Sequence, residues 1–280
     1  MRKRHALIMA AVIILALVVL SVALSPWISP YPPEEQDLAA RLAPPNTAHW
    51  LGTDHLGRDT FSRLLDGGRF SLTIAALATI LTGVVGTAIG VISARRRGWL
   101  DEFFTRTNDV LLALPEMVIA LFLVAALGTG YPSLLLALTV TGWTPFARLA
   151  RALAYDVSAR GFTEAARVLG CSPSFIILRH ILPHLAAPLL GQATLRFGQL
   201  LINVGALSYL GLGVQPPQSD WGSMLAAAHL LLTHPATTPT DLLDVLPDTL
   251  AKATDVVAGP VMGGALLAHT IAGLLDGRRS

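Results

Sequence analysis

An all-α, polytopic membrane protein with about six transmembrane helices is the fold class this sequence predicts. Hydrophobic residues make up 53% of the 280 positions and charged residues 14%, against about 25% charged in an average soluble domain; mean hydropathy is +0.59. Apolar runs recur that approach the ~20 residues a helix needs to cross hydrocarbon. Lys and Arg gather in alternate connections between those runs, the bias that orients helices across a bilayer. The net charge of +2 comes from Arg scattered among loops and forms no basic stripe, so a nucleic-acid partner is not indicated. The single cysteine, Cys171, excludes an intrachain disulfide.

In chain order, Arg2, Lys3 and Arg4 precede a charge-free run over 6–24. A cleaved signal peptide begins the same way, but its apolar region is usually about 7–15 residues long. Here Pro26 also follows where a cleavage site would lie, so 1–24 reads as a retained first span with a cytoplasmic N-terminus. Residues 25–69, rich in Pro, Asp, Arg and Gly, read as an extracytoplasmic segment, and 70–275 as the transmembrane core. The second span covers 71–94, with Gly83, Gly86 and Gly90 along one helical face; small residues so spaced admit a close neighbour, although Gly is also simply common in membrane helices.

Arg95, Arg96 and Arg97 end that span, and a helix over 101–109 leads into a third run at 110–127. A turn at 128–132 is followed by a fourth run over 133–147. Arg148, Arg151, Arg160, Arg167 and Arg179 then mark a long connection containing the proposed loop 158–185. The fifth span is expected at 188–210, and GLGVQPPQSDWG makes the next turn. A sixth run, 256–275, is interrupted by Gly259, Pro260, Gly263 and Gly264, and 276–280 forms a cytoplasmic tail. With the N-terminus inside, nearly all the Arg clusters fall on the cytoplasmic side.

The most sharply punctuated polar stretch is EAARVLGCSPSFIILRHILP, 164–183, lying between two spans. Glu-Ala-Ala favours helix, Gly170 stops it, and Ser172 with Pro173 restarts one, because Ser caps well and Pro is tolerated at the first helical position. Two short helices joined by a bend are expected there, facing the cytoplasm.

Enzymatic readings find less support. His180 and His184 have the spacing of two metal ligands on a helix, but no Glu follows the first and Pro183 lies between them. Ser208 has no Gly-x-Ser-x-Gly elbow around it, and no phosphate-binding Gly-x4-Gly-Lys-Ser/Thr loop occurs. No metal and no cofactor are therefore assigned, and a membrane-embedded hydrolase is the alternative from another class. Ionisable groups inside spans are costly and face a bundle interior or an aqueous path. Asp109, Glu116 and Arg196 are the candidates for a translocation path, with structural pairing favoured for Arg196. In the outer segment, His49 and His55 lie in HWLGTDHLGRD, where a compact loop whose polar groups satisfy one another is favoured over a metal contact.

The 164–183 stretch resembles the cytoplasmic loop of bacterial ABC importer permeases, with Glu164, Ala165, Ala166, Gly170, Leu182 and Pro183 in register and His180 at a position usually aliphatic. HWLGTDHLGRDTFSRLL at 49–65, DVLLALP at 109–115 and SYLGLGVQPPQSDWGSML at 208–225 resemble segments of the second permease of the dipeptide, oligopeptide and nickel importer group. This resemblance covers residues 1 to about 230. It implies a type I ABC importer permease fold in the inner membrane. It further implies pairing with a homologous permease, two cytoplasmic ATPase subunits and an extracytoplasmic solute-binding protein. The chain itself would be a transport subunit for a small peptide or a nickel-type metal complex, with the six matching loop residues coupling it to ATP hydrolysis elsewhere. Beyond His234 the chain departs from the usual family ending, so a subunit that assembles without transporting is a further alternative.

Overall fold

The computed structural model describes Met9, Ile13 and residues 16–96 and 98–233. The sixth expected span and the tail lie outside those residues, as does most of 6–15. Among the described residues the fold is helical, with a single isolated bridge between Thr53 and Asp59.

Residues 16–23 are helical. A short helix, Ser25–Ile28, and a 3-10 turn, Leu38–Ala40, lie in the segment that precedes the first long helix. Helix α1, Thr60–Arg96, then crosses the whole molecule; its 37 residues span about 55 Å. It begins at Thr60, well before the apolar run expected from 71. Asp59 is the reason: its Oδ2 accepts from the Ser62 N–H at 2.8 Å and the Ser62 hydroxyl at 2.7 Å, satisfying a donor that the first helical turn leaves unpaired.

The third and fourth runs are each broken in two. Helix α2, Trp99–Ala113, and helix α3, Glu116–Leu127, meet at a bend of 93°. Pro115 disfavours helical backbone at the residue before it, and Leu114 is extended at φ −102°, ψ 141°. Helix α4, Tyr131–Gly142, is separated from helix α5, Thr144–Ser158, by Trp143, with Pro145 in the first turn of α5. Helix α6, Gly161–Val168, and helix α7, Pro173–Ile176, flank the Gly170 corner.

A π-helical stretch, Ile177–Ile181, joins α7 to helix α8, Leu182–Tyr209. The Leu182 N–H reaches back five residues to the Ile177 carbonyl, a widened turn of the kind that absorbs a local disturbance without ending a helix. Pro173–Tyr209 is thus one continuous 37-residue helix. The second helix of the polar stretch is the foot of the fifth span, where a separate short helix was expected. Helix α9, Trp221–Thr233, follows the last described turn.

Among the described residues, two helices are long and apolar enough to cross a membrane, or up to three if α2 and α3 together make one span. Within the described residues, breaks at Pro115 and before Pro145 divide runs whose hydropathy alone reads as continuous. Three packed clusters run along α1. Leu64, Ala75, Leu201 and Trp221 meet at its first end, and Ile74, Leu134, Leu138 and Val204 at the centre. Val91, Ala150, Val157, Ile176 and Leu185 pack at the end nearest the Gly170 loop.

The glycine face of α1 is filled from within the chain. A Cβ on Gly86 would lie 2.4 Å from the Trp143 carbonyl oxygen, and one on Gly90 2.4 Å from that of Ala147, so α5 packs against α1 backbone to backbone. Gly83 differs, since a Cβ there would sit 3.6 Å from the Phe146 ring, an ordinary contact. Gly86→Ala and Gly90→Ala are therefore expected to cost about 1–3 kcal/mol through forced separation of the helices. Gly83→Ala is expected to be nearly neutral. Thermal unfolding of the purified variants in detergent checks this, and equal melting temperatures for all three would refute the packing.

Candidate functional site

The loop between α5 and α8 is built from local rules. Helix α6 closes with the Cys171 N–H donating to the Ala166 carbonyl and the Gly170 N–H to that of Arg167, both at 3.0 Å. This pair of bonds is the left-handed helix ending that glycine serves best. Gly170 has φ +77° with nothing within 4 Å of where a Cβ would lie, so conformation rather than space requires glycine. Ser172 then caps the next helix, its hydroxyl accepting from the Phe175 N–H at 3.4 Å.

The motif residues divide by face. Ala166 is buried against the cluster of Val91, Ala150, Val157 and Ile176. Glu164, Ala165, Gly170 and Pro183 face outward, and Leu182 is half-buried. Thr163, fully buried, donates to the Val157 carbonyl at 2.8 Å and locks α6 to the end of α5. At the apex Val168 is 88% exposed and Leu169 82%, two adjacent aliphatic side chains left outside the packing of the described residues. Sequence reasoning passed over both, because apolar residues in a helix read as core.

His180, the position that departs from the family pattern, lies 6.0 Å from the Phe162 ring and edge-on to Phe175 at 5.8 Å. His184 stacks on Phe162 at 5.2 Å, with its Nδ1 2.6 Å from the His180 carbonyl oxygen. The two imidazoles thus pack against aromatic rings that brace α6 on α8. Among the described residues no group of three or more His, Cys, Asp or Glu side chains could hold a metal ion.

Of the three candidate path residues, the structure unites two. Arg196 on α8 is 3% exposed and donates through Nη2 to Glu116 Oε1 and through Nη1 to Gln199 Oε1, the latter at 3.2 Å. Glu116 opens α3 immediately after the bend, and its side chain is 29% exposed. Gly142 makes room for the guanidinium, since a Cβ there would lie 2.8 Å from Arg196 Nη2. Asp109 is exposed on α2 and takes no part in this pair. Ser208, weighed as a nucleophile, is buried against Gly213 and Gly222.

In the segment before α1 and at its start, polar side chains pair largely with one another. Asp54 accepts from the N–H groups of Leu56 and Arg58, from Arg58 Nε at 2.8 Å and from Arg63 Nη1. His49 Nδ1 lies 2.9 Å from Asp59 Oδ1, and the His49 ring packs 4.8 Å from Tyr31. Asp220, fully buried before α9, accepts from the N–H groups of Gly222 and Ser223; burial raises its carboxyl above the ordinary value despite those bonds.

Residues 86–273 match the family described as binding-protein-dependent transport system inner membrane component, and residues 3–45 match the N-terminal transmembrane domain of oligopeptide transport permease C. The first match continues past His234, beyond the limit of about residue 230 expected from the motifs. The nickel transport system permease protein NikC of Escherichia coli strain K12 is 35% identical over 92% of this chain and 91% of its own. The probable D,D-dipeptide transport system permease protein DdpC of the same strain is 35% identical over 81% of this chain and 76% of its own. The glutathione transport system permease protein GsiD of Escherichia coli O6:K15:H31 is 36% identical over 81% and 75%. An inward-facing structure of the MetNI methionine ABC transporter superposes with a TM-score of 0.56 at 15% identity, covering 77% of this chain and 97% of that one. The fold is therefore that of an ABC importer permease.

Acid should loosen the loop around Asp54 first. Burial alone would raise the Asp54 carboxyl, but the bonds from Arg58 and Leu56 and the charges of Arg63 and Arg58 outweigh it and hold it below the ordinary 3.8. A carboxyl lowered by folding contributes stability above its unfolded value and loses it as pH falls through the folded one. His55 is lowered from 6.5, by burial first and also by Arg58, Arg63 and Arg41 against the pull of Asp54. Its contribution, from a ring kept neutral, is likewise present above the unfolded value and declines as pH falls. Protease resistance of 37–59 is expected to be constant from pH 8 to 7, to weaken below 6.5 and to fail below 3.8. Asp54→Asn should show the loosened state already at pH 7. A flat profile in both proteins would contradict the assignment.

Proposed function

Since the chain belongs to the family of binding-protein-dependent transport system inner membrane components, we propose that it carries a small peptide, or in second place a nickel-type metal complex, into the cytoplasm. It is a multi-pass permease subunit of an ABC importer, and ATP is hydrolysed by a separate subunit in such systems. It works with an ATPase, a second permease and a binding protein. The finer assembly within this proposal is one homologous permease as heterodimer partner, two cytoplasmic ATPase subunits and one extracytoplasmic solute-binding protein. The N-terminus is cytoplasmic, which puts Arg95, Arg96 and the Arg148 to Arg179 group on the ATPase side.

The observation that carries this reading is the loop apex. Val168 and Leu169 stand 88% and 82% exposed on a corner fixed by Gly170 and braced by Thr163, an apolar knob that no described residue covers. An ATPase groove is the partner that buries it, with Glu164 and Arg167 at its edge. Glu164, Ala165, Ala166, Gly170, Leu182 and Pro183 then form and aim the joint. Substrate is read at the other candidate site. Glu116, partly exposed at the α2–α3 bend and held by Arg196, offers carboxylate charge toward the bundle, which suits a peptide ammonium group as well as a metal complex. Asp109, exposed on α2 and outside this pair, is the remaining candidate for the path. Peptide ranks first because two of the three relatives above carry peptides by name.

Vesicles containing this chain with its partner subunits, ATP inside and binding protein outside, should accumulate a labelled dipeptide. Nickel accumulation without dipeptide accumulation would transfer the assignment to the metal complex, and neither would reject both. In the same vesicles Gly170→Val should keep ATP hydrolysis while uptake falls, because a left-handed backbone costs a β-branched residue about 1–2 kcal/mol. Gly170→Asn should retain more uptake, since Asn visits that conformation. Equal uptake by the wild type and Gly170→Val would remove the loop from the mechanism.

A further inference from the structure

We infer that Asp101 is the positioning residue that makes the α2–α3 elbow follow the ATPase-facing loop. This rests on the permease reading above and extends it to a side chain outside both the loop and the path.

Asp101 lies in the first turn of α2, and its carboxylate gathers donors from two other helices. Arg151 of α5 binds it with a two-pronged fork, Nε to Oδ1 at 2.6 Å and Nη2 to Oδ2 at 2.8 Å. Tyr155, one turn further along α5, donates its hydroxyl to Oδ2 at 3.0 Å. Ser93, near the end of α1, donates to Oδ1. The Arg151 guanidinium also lies 5.0 Å from the Tyr155 ring centroid, so the two donors are held together. Forked Arg–carboxylate pairs fix direction as well as distance. The contrast on the same helix is Glu102 with Arg106, a 3.5 Å pair whose side chains are 70% and 76% exposed; such pairs contribute little. The Asp101 side chain is only 15% exposed.

What this hub joins gives it a role. Helix α5 runs directly into α6, to which it is locked by Thr163, so α5 carries one arm of the loop. The other arm is the foot of the continuous helix Pro173–Tyr209, and Arg95 at the end of α1 donates to the Pro173 carbonyl at 3.0 Å. The elbow formed by α2 and α3 is thus pinned twice. Asp101 ties its start to the arm ending in α6, and Glu116, just past the bend, is tied to Arg196 on the other arm. A shift of the loop that moves α5 relative to α8 must turn the elbow about its 93° bend. Glu116 at that bend is the group the shift would re-aim. An element in contact with both sites, and able to take two positions, is one physical carrier of such coupling.

The test uses the complete transporter in vesicles and reads ATP hydrolysed per substrate imported, together with ATPase subunits retained on purification. Asp101→Asn and Arg151→Lys are expected to retain the ATPase subunits and hydrolyse ATP, while ATP spent per substrate rises about fivefold or more, the lower range of coupling between sites. The reversed pair, Asp101→Arg with Arg151→Asp, should recover part of the wild-type ratio. If Asp101→Asn fails to assemble, Tyr155→Phe, which removes one donor and leaves no bare charge, should raise the ratio in smaller measure. An unchanged ratio in these variants, or uptake and hydrolysis falling in proportion, overturns the positioning role. A wild-type complex without ATP-driven uptake would instead overturn the permease reading, so the two failures are separable.

Discussion

Backbone contact between α1 and α5 sets the position of everything near the loop. Within hydrocarbon, helices gain nothing from shielding apolar surface, so association depends on close packing and on polar contacts. Gly86 and Gly90 allow the carbonyl oxygens of Trp143 and Ala147 to sit where side chains would otherwise stand. Phe146, 1% exposed, then fills the space beside Gly83. With α5 seated this way, Arg151 and Tyr155 face α2, and Val157 presents its carbonyl to Thr163 of α6. The two glycines thereby determine where the loop leaves the bundle.

Polar groups within the bundle follow a different constraint. A buried ion pair is weak evidence for stability, because removing two charges from water costs about as much as their attraction returns. Arg196 is nonetheless kept 3% exposed, with Gly142 leaving space for its guanidinium and Gln199 sharing its donors. That much accommodation is better explained by what the pair holds in place. Pro115 breaks the helix immediately before Glu116, and without a partner there the elbow would be tied by polar contacts only at its start, through Asp101. The pair gives the bend a definite position relative to α8.

Features governed by neighbouring residues were legible in the sequence. Gly170 as a helix stop, Ser172 as a cap and Pro173 as a first residue follow from backbone preferences and appear as expected. The polar self-sufficiency of HWLGTDHLGRD was legible for the same reason. Glu116 and Arg196 were legible as costly groups, though their pairing across 80 positions was not. Asp101 gave no signal, because its partner Arg151 is 50 residues away and an acid in a first helical turn needs no other explanation. Helix boundaries departed from the apolar runs where hydropathy was weighed without proline, at Pro115 and Pro145. The early start of α1 was available from Asp59 followed three residues later by Ser62, a capping pattern hidden in a segment whose composition reads as loop.

Continuity of the helix from Pro173 to Tyr209 bears on how far a loop movement can reach. Arg196 stands 23 residues along it, about 35 Å from the foot at 1.5 Å per residue. A rigid tilt of about 5° at the foot would carry Arg196 some ~3 Å sideways, comparable to a whole hydrogen-bond length. The π-helical turn at Ile177–Ile181 and Pro188 inside α8 soften that lever near its base. Tilt therefore reaches the pair only if another contact keeps the base from bending locally. Arg95 on the Pro173 carbonyl and the Phe162–His184 stack supply that brace. An aliphatic side chain at position 180 could pack against Phe162 and Phe175 but would offer no edge-on ring contact such as His180 makes with Phe175 beside the π turn.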